Sequence, residues 1–140
     1  MDETGDLLSK LNDASDINKL DRYISDIDGN YDLSFSHYLN DLMRKMNVLP
    51  ADLIERSNIE HSYCYQILNG RKNPGRDKIL AISLALQLDL NETQRLLKLA
   101  GEGALYPKSK RDSLIIYALE HKMSVIDTGI LLDKYGEKSL

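Results

Sequence analysis

VLPADLIERSNIEHSYCYQILNGRKNP, residues 48–74, reads as two short helices joined by a tight corner. Leu53 and Ile54 share one face of the first helix. Ile59, Cys64, Ile67 and Leu68 collect on the inward face of the second, at the three-and-four spacing of an amphipathic helix. Ser57-Asn58 makes the corner, and Asn69-Gly70 marks the turn that follows. Pro50 suits a first helical turn, where a missing N–H costs no hydrogen bond, and Glu60 stands at the N-cap of the second helix. What remains to face outward is polar and aromatic: His61, Ser62, Tyr65, Gln66 and Asn69.

Outward from this stretch the helical period continues in both directions, with no alternating strand pattern and no internal repeat, so the expected fold class is all-α. Upstream, Leu39, Leu42, Met43 and Met46 form one stripe that Asn47 stops. Downstream, Ile79, Leu80, Leu84 and Leu88 mark a fourth helix from about Arg76. Asn91 with Gln94 reads as the capping box of a fifth, which carries Leu96, Leu97 and Ala100. Gly101-Glu102-Gly103 closes that block. Ser109 with Asp112, and Ser124 with Asp127, open two further helices that form a C-terminal hairpin ending at Gly136. At the other end, Leu7, Leu8 and Leu11, then Ile17, Leu20, Ile24 and Ile27 after Ser15, predict acidic N-terminal helices. The expected organisation is an acidic helical segment over 1–34, a central domain over 35–101 and the hairpin over 102–140.

With 140 residues, 42% of them hydrophobic, the chain can build one core with extensions. Its longest uncharged run, Ile79 to Leu88, is about half of the roughly 20 residues that span a bilayer, and its acidic N-terminus lacks a signal peptide's basic start. A soluble, cytoplasmic protein with no membrane association is expected. The lone Cys64 can form no internal disulfide and reads as a buried thiol, while His37, His61 and His121 include no pair at zinc-ligand spacing, so neither metal nor cofactor is expected. No nucleophile, base and orienting group stand together, and Gly101–Gly103 lacks the strand and Lys-Ser/Thr ending of a phosphate loop; an enzyme is not expected.

The formal charge of −4 is unevenly spread. Residues 1–34 hold nine Asp/Glu against three Lys/Arg, whereas 35–140 hold thirteen against fifteen. Arg56, Arg71, Lys72, Arg76 and Lys78 face only Glu60 and Asp77 within 56–78, which is compatible with a polyanion if those cations share a face.

Residues 36 to about 90 resemble the Xre, or Cro/C1-type, helix-turn-helix domain of phage repressors and bacterial regulators. The resemblance is carried by Leu53, Asn58, Ile59, Glu60, Cys64, Leu68-Asn69-Gly70, Arg71-Lys72 and Pro74, with spacing preserved. The whole chain, including Tyr63 to Gln66, Arg76-Asp77 and Leu105 to Asp112, looks like a Firmicutes-type subgroup of Xre-like regulators. The resemblance implies a five-helix lambda-repressor-like domain whose second motif helix lies in the major groove of double-stranded DNA. It places His61, Ser62, Tyr65 and Gln66 at bases, and Tyr63, Asn69, Arg71, Lys72, Arg44 and Arg56 at phosphates, with the amides at the helix starts. Gln66 has the donor-acceptor pair that matches the adenine edge, Ser62 can hydrogen-bond several bases, and His61 can donate to guanine or phosphate.

Two residues depart from the pattern: Pro50 replaces a frequent Gln and donates nothing, and Glu60 puts a carboxylate where phosphates would approach. The function expected is a sequence-specific transcriptional regulator, a repressor acting as a homodimer through the hairpin or the N-terminal helices. The alternative is a protein-interaction adaptor or antitoxin-like module on the same fold, with the acidic N-terminal helices binding a protein partner.

Overall fold

Proline, asparagine and glycine punctuate residues 35–140, the part of the chain described by a computed structural model. Seven helices and no strand occur among the described residues: α1 (residues 35–45), α2 (Pro50–Ser57), α3 (His61–Leu68), α4 (Arg76–Ala85), α5 (Leu90–Leu99), α6 (Lys110–Glu120) and α7 (Val125–Lys134). The all-α expectation holds for them. The acidic helices read between Leu7 and Ile27 lie outside the described residues, and so does their reading as a partner-binding surface.

Six of the seven helices end in one way. The residue after the cap turns left-handed, and the next N–H returns to a carbonyl five residues back, satisfying groups that the helix leaves open. Val48 thus donates to Met43 (2.9 Å), Arg71 to Gln66 (2.9 Å), Leu88 to Ser83 (3.0 Å), Glu102 to Leu97 (2.8 Å), Met123 to Ala118 (2.9 Å) and Glu137 to Leu132 (2.9 Å). The left-handed residues at the expected stops are Asn47, Gly70, Gly101 and Gly136. Gln87 (φ 55°) and Lys122 (φ 53°) do the same work without a turn residue's signature, at a backbone cost of about 1–2 kcal/mol each.

α4 is the hub. Every residue from Ile79 to Leu86 is buried, and the helix packs against α2, α5, α6 and α7. A helix apolar on all sides belongs at the centre of a fold, so the reading of Ile79, Leu80, Leu84 and Leu88 as a stripe understates its burial. Leu39, Leu42 and Met43 of α1, Leu53 of α2, Cys64, Ile67 and Leu68 of α3, and Leu96 and Leu97 of α5 join the same core. Met46 does not: it follows the last residue of α1, leaves the stripe and stands 40% exposed. The cap of α5 also differs from the expected one. The helix starts earlier, with Asp89 accepting from the Glu92 amide (2.7 Å) and Glu92 accepting from the Asp89 amide (3.0 Å). Gln94 instead grips the backbone of Leu105 in both directions, at 3.0 and 2.8 Å.

The hairpin shares this core through Leu105, Ile115, Ala118, Leu119 and Leu132, and residues 35–140 form one compact unit. Ser109 and Ser124 accept from the Asp112 and Asp127 amides, as their spacing predicts. Two reciprocal ion pairs then join the starts of α4 and α6. Arg76 holds Asp112 with two bonds (3.0 and 2.8 Å), and Arg111 holds Asp77 with two (2.9 and 3.2 Å). Arg111 also donates to the Lys138 and Ser139 carbonyls, which straps the last residues to α6.

Candidate nucleic-acid interface

A helix can be presented only if its other face is anchored. Between α2 and α3 only Asn58, Ile59 and Glu60 intervene, and Asn58 takes the left-handed conformation (φ 59°, ψ 26°) that a short amide side chain tolerates. The Ile59 N–H donates to Ser57 Oγ at 3.3 Å, which holds the corner. Ile59, Cys64 and Ile67 are buried, so one face of α3 is committed to the core. The far end of α3 is tied by Asn40, whose Nδ2 donates to the Leu68 carbonyl (2.9 Å) and to that of Ser36 (2.7 Å). No sequence signal pointed to Asn40: it is a mid-helix residue whose partner lies twenty-eight positions away.

His61, Ser62 and Tyr65 are exposed on the opposite face, with Gln66 half-buried beside them. The His61 and Tyr65 rings meet edge to face at 4.9 Å. No hydrogen bond to the Gln66 side-chain amide occurs among the described residues, which leaves its donor and acceptor available. Tyr63 is half-buried and packs on the core.

Electrostatics at the two ends of α3 differ. At its start Glu60 accepts from the Ser62 and Tyr63 amides (3.0 and 2.8 Å). Those two N–H donors, with smaller contributions from the Ser62 hydroxyl and from His61, outweigh desolvation and hold its carboxyl below the ordinary value. The helix-start amides expected to meet phosphate are therefore occupied by the chain's own carboxylate. The start of α2 is closed likewise, since Pro50 has no N–H and Asp52 accepts from the Leu49 amide (3.0 Å). At the end of α3, the Gln66 carbonyl receives the amides of both Arg71 and Lys72 (2.9 and 3.1 Å), and Asn69 Oδ1 also receives that of Arg71 (3.1 Å). This turn needs Gly70 at φ 81°, and it sets Arg71 and Lys72 in solvent with no ion pair among the described residues.

The remaining cations lie elsewhere. Arg44 is paired with Asp41 (3.1 Å) and lines a groove with Asn40, Met43 and 47–50. Arg56 lines a cleft formed by α2, the end of α4 and the α6–α7 turn, which includes no residue of α3. Arg76 is consumed by Asp112. The structure therefore gathers His61, Ser62, Tyr65, Gln66, Asn69, Arg71 and Lys72 along one helix and its turn, and leaves Arg44 and Arg56 outside that group.

Cys64 is fully buried, and burial pushes its thiol up from the ordinary value. A thiol reagent should therefore leave the native protein unmodified at neutral pH and label it stoichiometrically in denaturant; fast native labelling would show that α3 opens from the core.

Comparison of the chain with protein-family models, with curated proteins and with solved structures finds no match. Among the described residues, no helix is long and apolar enough to cross a membrane, and no group of three or more His, Cys, Asp or Glu side chains is placed to hold a metal.

Proposed function

We propose that this chain is a DNA-binding transcriptional regulator of the Xre, Cro/C1-like kind, a non-enzymatic repressor that reads the major groove with α3. One observation carries the reading: the solvent face of a core-anchored helix offers the Gln66 amide, and two cations, Arg71 and Lys72, follow on the next turn, none of the three side chains having a partner among the described residues. That combination supplies a base-reading group and a phosphate-holding group on one rigid support. Two copies on a two-fold site would multiply a modest single-helix affinity.

Selection of bound fragments from the source organism's genomic DNA, repeated over a salt series, tests it. A roughly palindromic enriched site with steep salt dependence is expected. Absence of enrichment at low salt would transfer the fold to the second reading, an adaptor or antitoxin-like module. Glu60 favours that second reading, because its carboxylate fills the anion-attracting end of α3.

Glu60→Gln tests where the start of α3 lies on the DNA. It removes one negative charge from the approach path while keeping an oxygen to cap the helix, so DNA affinity should tighten by about two- to five-fold, the range of a single surface charge. Unchanged or weaker binding by filter assay would put the start of α3 away from phosphate.

A further inference from the structure

Gly129 lies inside α7 with no left-handed angle to require it, at a position where glycine weakens a helix. A reason for it comes from the segment that follows the helix: a Cβ at residue 129 would stand 2.9 Å from Ser139 Oγ, closer than real Cβ atoms come to such a neighbour. Three further observations seat the same segment. The Glu137 amide returns to the Leu132 carbonyl (2.9 Å), which turns the chain back at Gly136. Arg111 of α6 donates through Nε to the Lys138 carbonyl (2.9 Å) and through Nη2 to that of Ser139 (3.3 Å). Leu140 is half-buried against the core and lines a small recess, of about 70 Å³, with Ser57, Asn58 and Ile59 at the α2–α3 corner, Ala81 of α4 and Val125 of α7.

From this arrangement we infer that residues 137–140 are a latch on the α2–α3 corner, so that docking of this segment and presentation of α3 belong to one equilibrium. The corner is short of support of its own. Its backbone turns through a left-handed Asn58, and the bond that holds it, from the Ile59 N–H to Ser57 Oγ, is long at 3.3 Å. The latch is itself lightly held, by two exposed carbonyls, one half-buried leucine and an arginine fork shared with Asp77. Contacts of this kind open locally, without global unfolding. The end of α7 has anchors that do not involve the segment: Leu132 is fully buried, and Lys110 Nζ donates to the Tyr135 carbonyl (2.7 Å). The segment can therefore leave while α7 stays docked. Gly129 gives up helix stability for the close approach of Ser139, and what that approach secures is Leu140 beside the corner. Displacing four residues beyond the hairpin thus loosens the reading helix without touching a residue of it.

The inference rests on the DNA-binding reading only for what α3 does once presented, and its test is independent of DNA. Residue-resolved amide hydrogen exchange is compared in the full chain, in a variant lacking residues 138–140, and in Gly129→Leu, which puts a good helix former into the seat of Ser139. Either variant should speed exchange of the Ile59 and Cys64 amides at least about ten-fold and leave Leu96 and Leu97 of α5 at wild-type rates. Native labelling of the Cys64 thiol should accelerate in parallel, because Cys64 lies on the buried face of α3. Wild-type exchange at Ile59 and Cys64 in both variants overturns the latch. Equal acceleration at the corner and in α5 overturns it too, because the segment would then support the fold as a whole and not the corner. A corner loosened in either variant of a protein that enriches no DNA keeps the latch and removes the regulator reading; an unmoved corner in a protein that enriches a site does the reverse.

Discussion

Arg76→Ala should destabilise residues 35–140 by about 3 kcal/mol, the low end of the cost of breaking a buried ion pair from one side. The Arg76 guanidinium makes four hydrogen bonds: two to Asp112, and one each to the carbonyls of Gly103 (3.0 Å) and Ala104 (3.1 Å). Truncation would leave Asp112, 6% exposed, as an uncompensated carboxylate held by the Tyr106 amide (2.9 Å). The low end applies because the Arg76 side chain keeps about a quarter of its surface in water. For a unit of this size the loss corresponds to a fall in Tm of roughly 10–15 °C, readable by calorimetry. The double variant Arg76→Ala, Asp112→Ala should lose less than the two single losses added, because it strands no charge. A single-variant loss under about 1 kcal/mol would mean that water replaces the guanidinium.

The same pair has a pH signature of defined sign. Burial pushes the Asp112 carboxyl up, but the Arg76 hydrogen bonds, the Tyr106 N–H and the charges of Arg76 and Arg111 together hold it below its ordinary 3.8. A folded value below the unfolded one contributes stability that is present above the unfolded value and is lost as pH falls through the folded one. The deficit of Arg76→Ala should therefore be full near neutrality, begin to shrink where the variant's Asp112, buried without the guanidinium, takes up its proton, and go on shrinking until pH falls through the lower folded value of the wild-type carboxyl. A deficit constant across that range would assign the loss to packing of the arginine stem instead.

What the sequence disclosed and concealed follows the range of the interaction. The apolar faces of α1 and α3, the Ser109 and Ser124 caps and the Asn47, Gly70, Gly101 and Gly136 stops are encoded within one or two helical turns, and they were legible. Even there, Asp89 with Glu92 outcompeted Asn91 with Gln94, because Gln94 had a better partner in the Leu105 backbone, which spacing does not reveal. Arg76 looked like a member of a basic cluster beside the motif, and Asp77 like one of the two acids set against it. Each instead found its partner more than thirty residues away, which removes Arg76 from the cations left for DNA. The outward α3 residues were legible from period alone. That Glu60 occupies the amides of Ser62 and Tyr63, and that Arg56 faces a different cleft, required coordinates.

Gln66→Ala and Arg71→Ala should weaken DNA binding in two different ways, and the difference is more telling than either loss. Gln66 bonds the Arg71 and Lys72 amides through its backbone carbonyl, so the substitution deletes the side-chain amide and leaves the turn in place. If that amide pairs with one base, affinity for the preferred site falls by roughly 1–3 kcal/mol, preference at that single position relaxes, and binding to unrelated DNA is unchanged. Arg71→Ala likewise keeps its backbone N–H on the Gln66 carbonyl and Asn69 Oδ1 and removes only a solvated charge. Its loss should be the same on every sequence, with the slope of log affinity against log salt smaller by about 1. Competition binding of both variants to the selected site and to scrambled DNA separates the patterns. Wild-type affinity and specificity in both variants would show that this face of α3 does not touch the DNA, because neither side chain has another partner among the described residues.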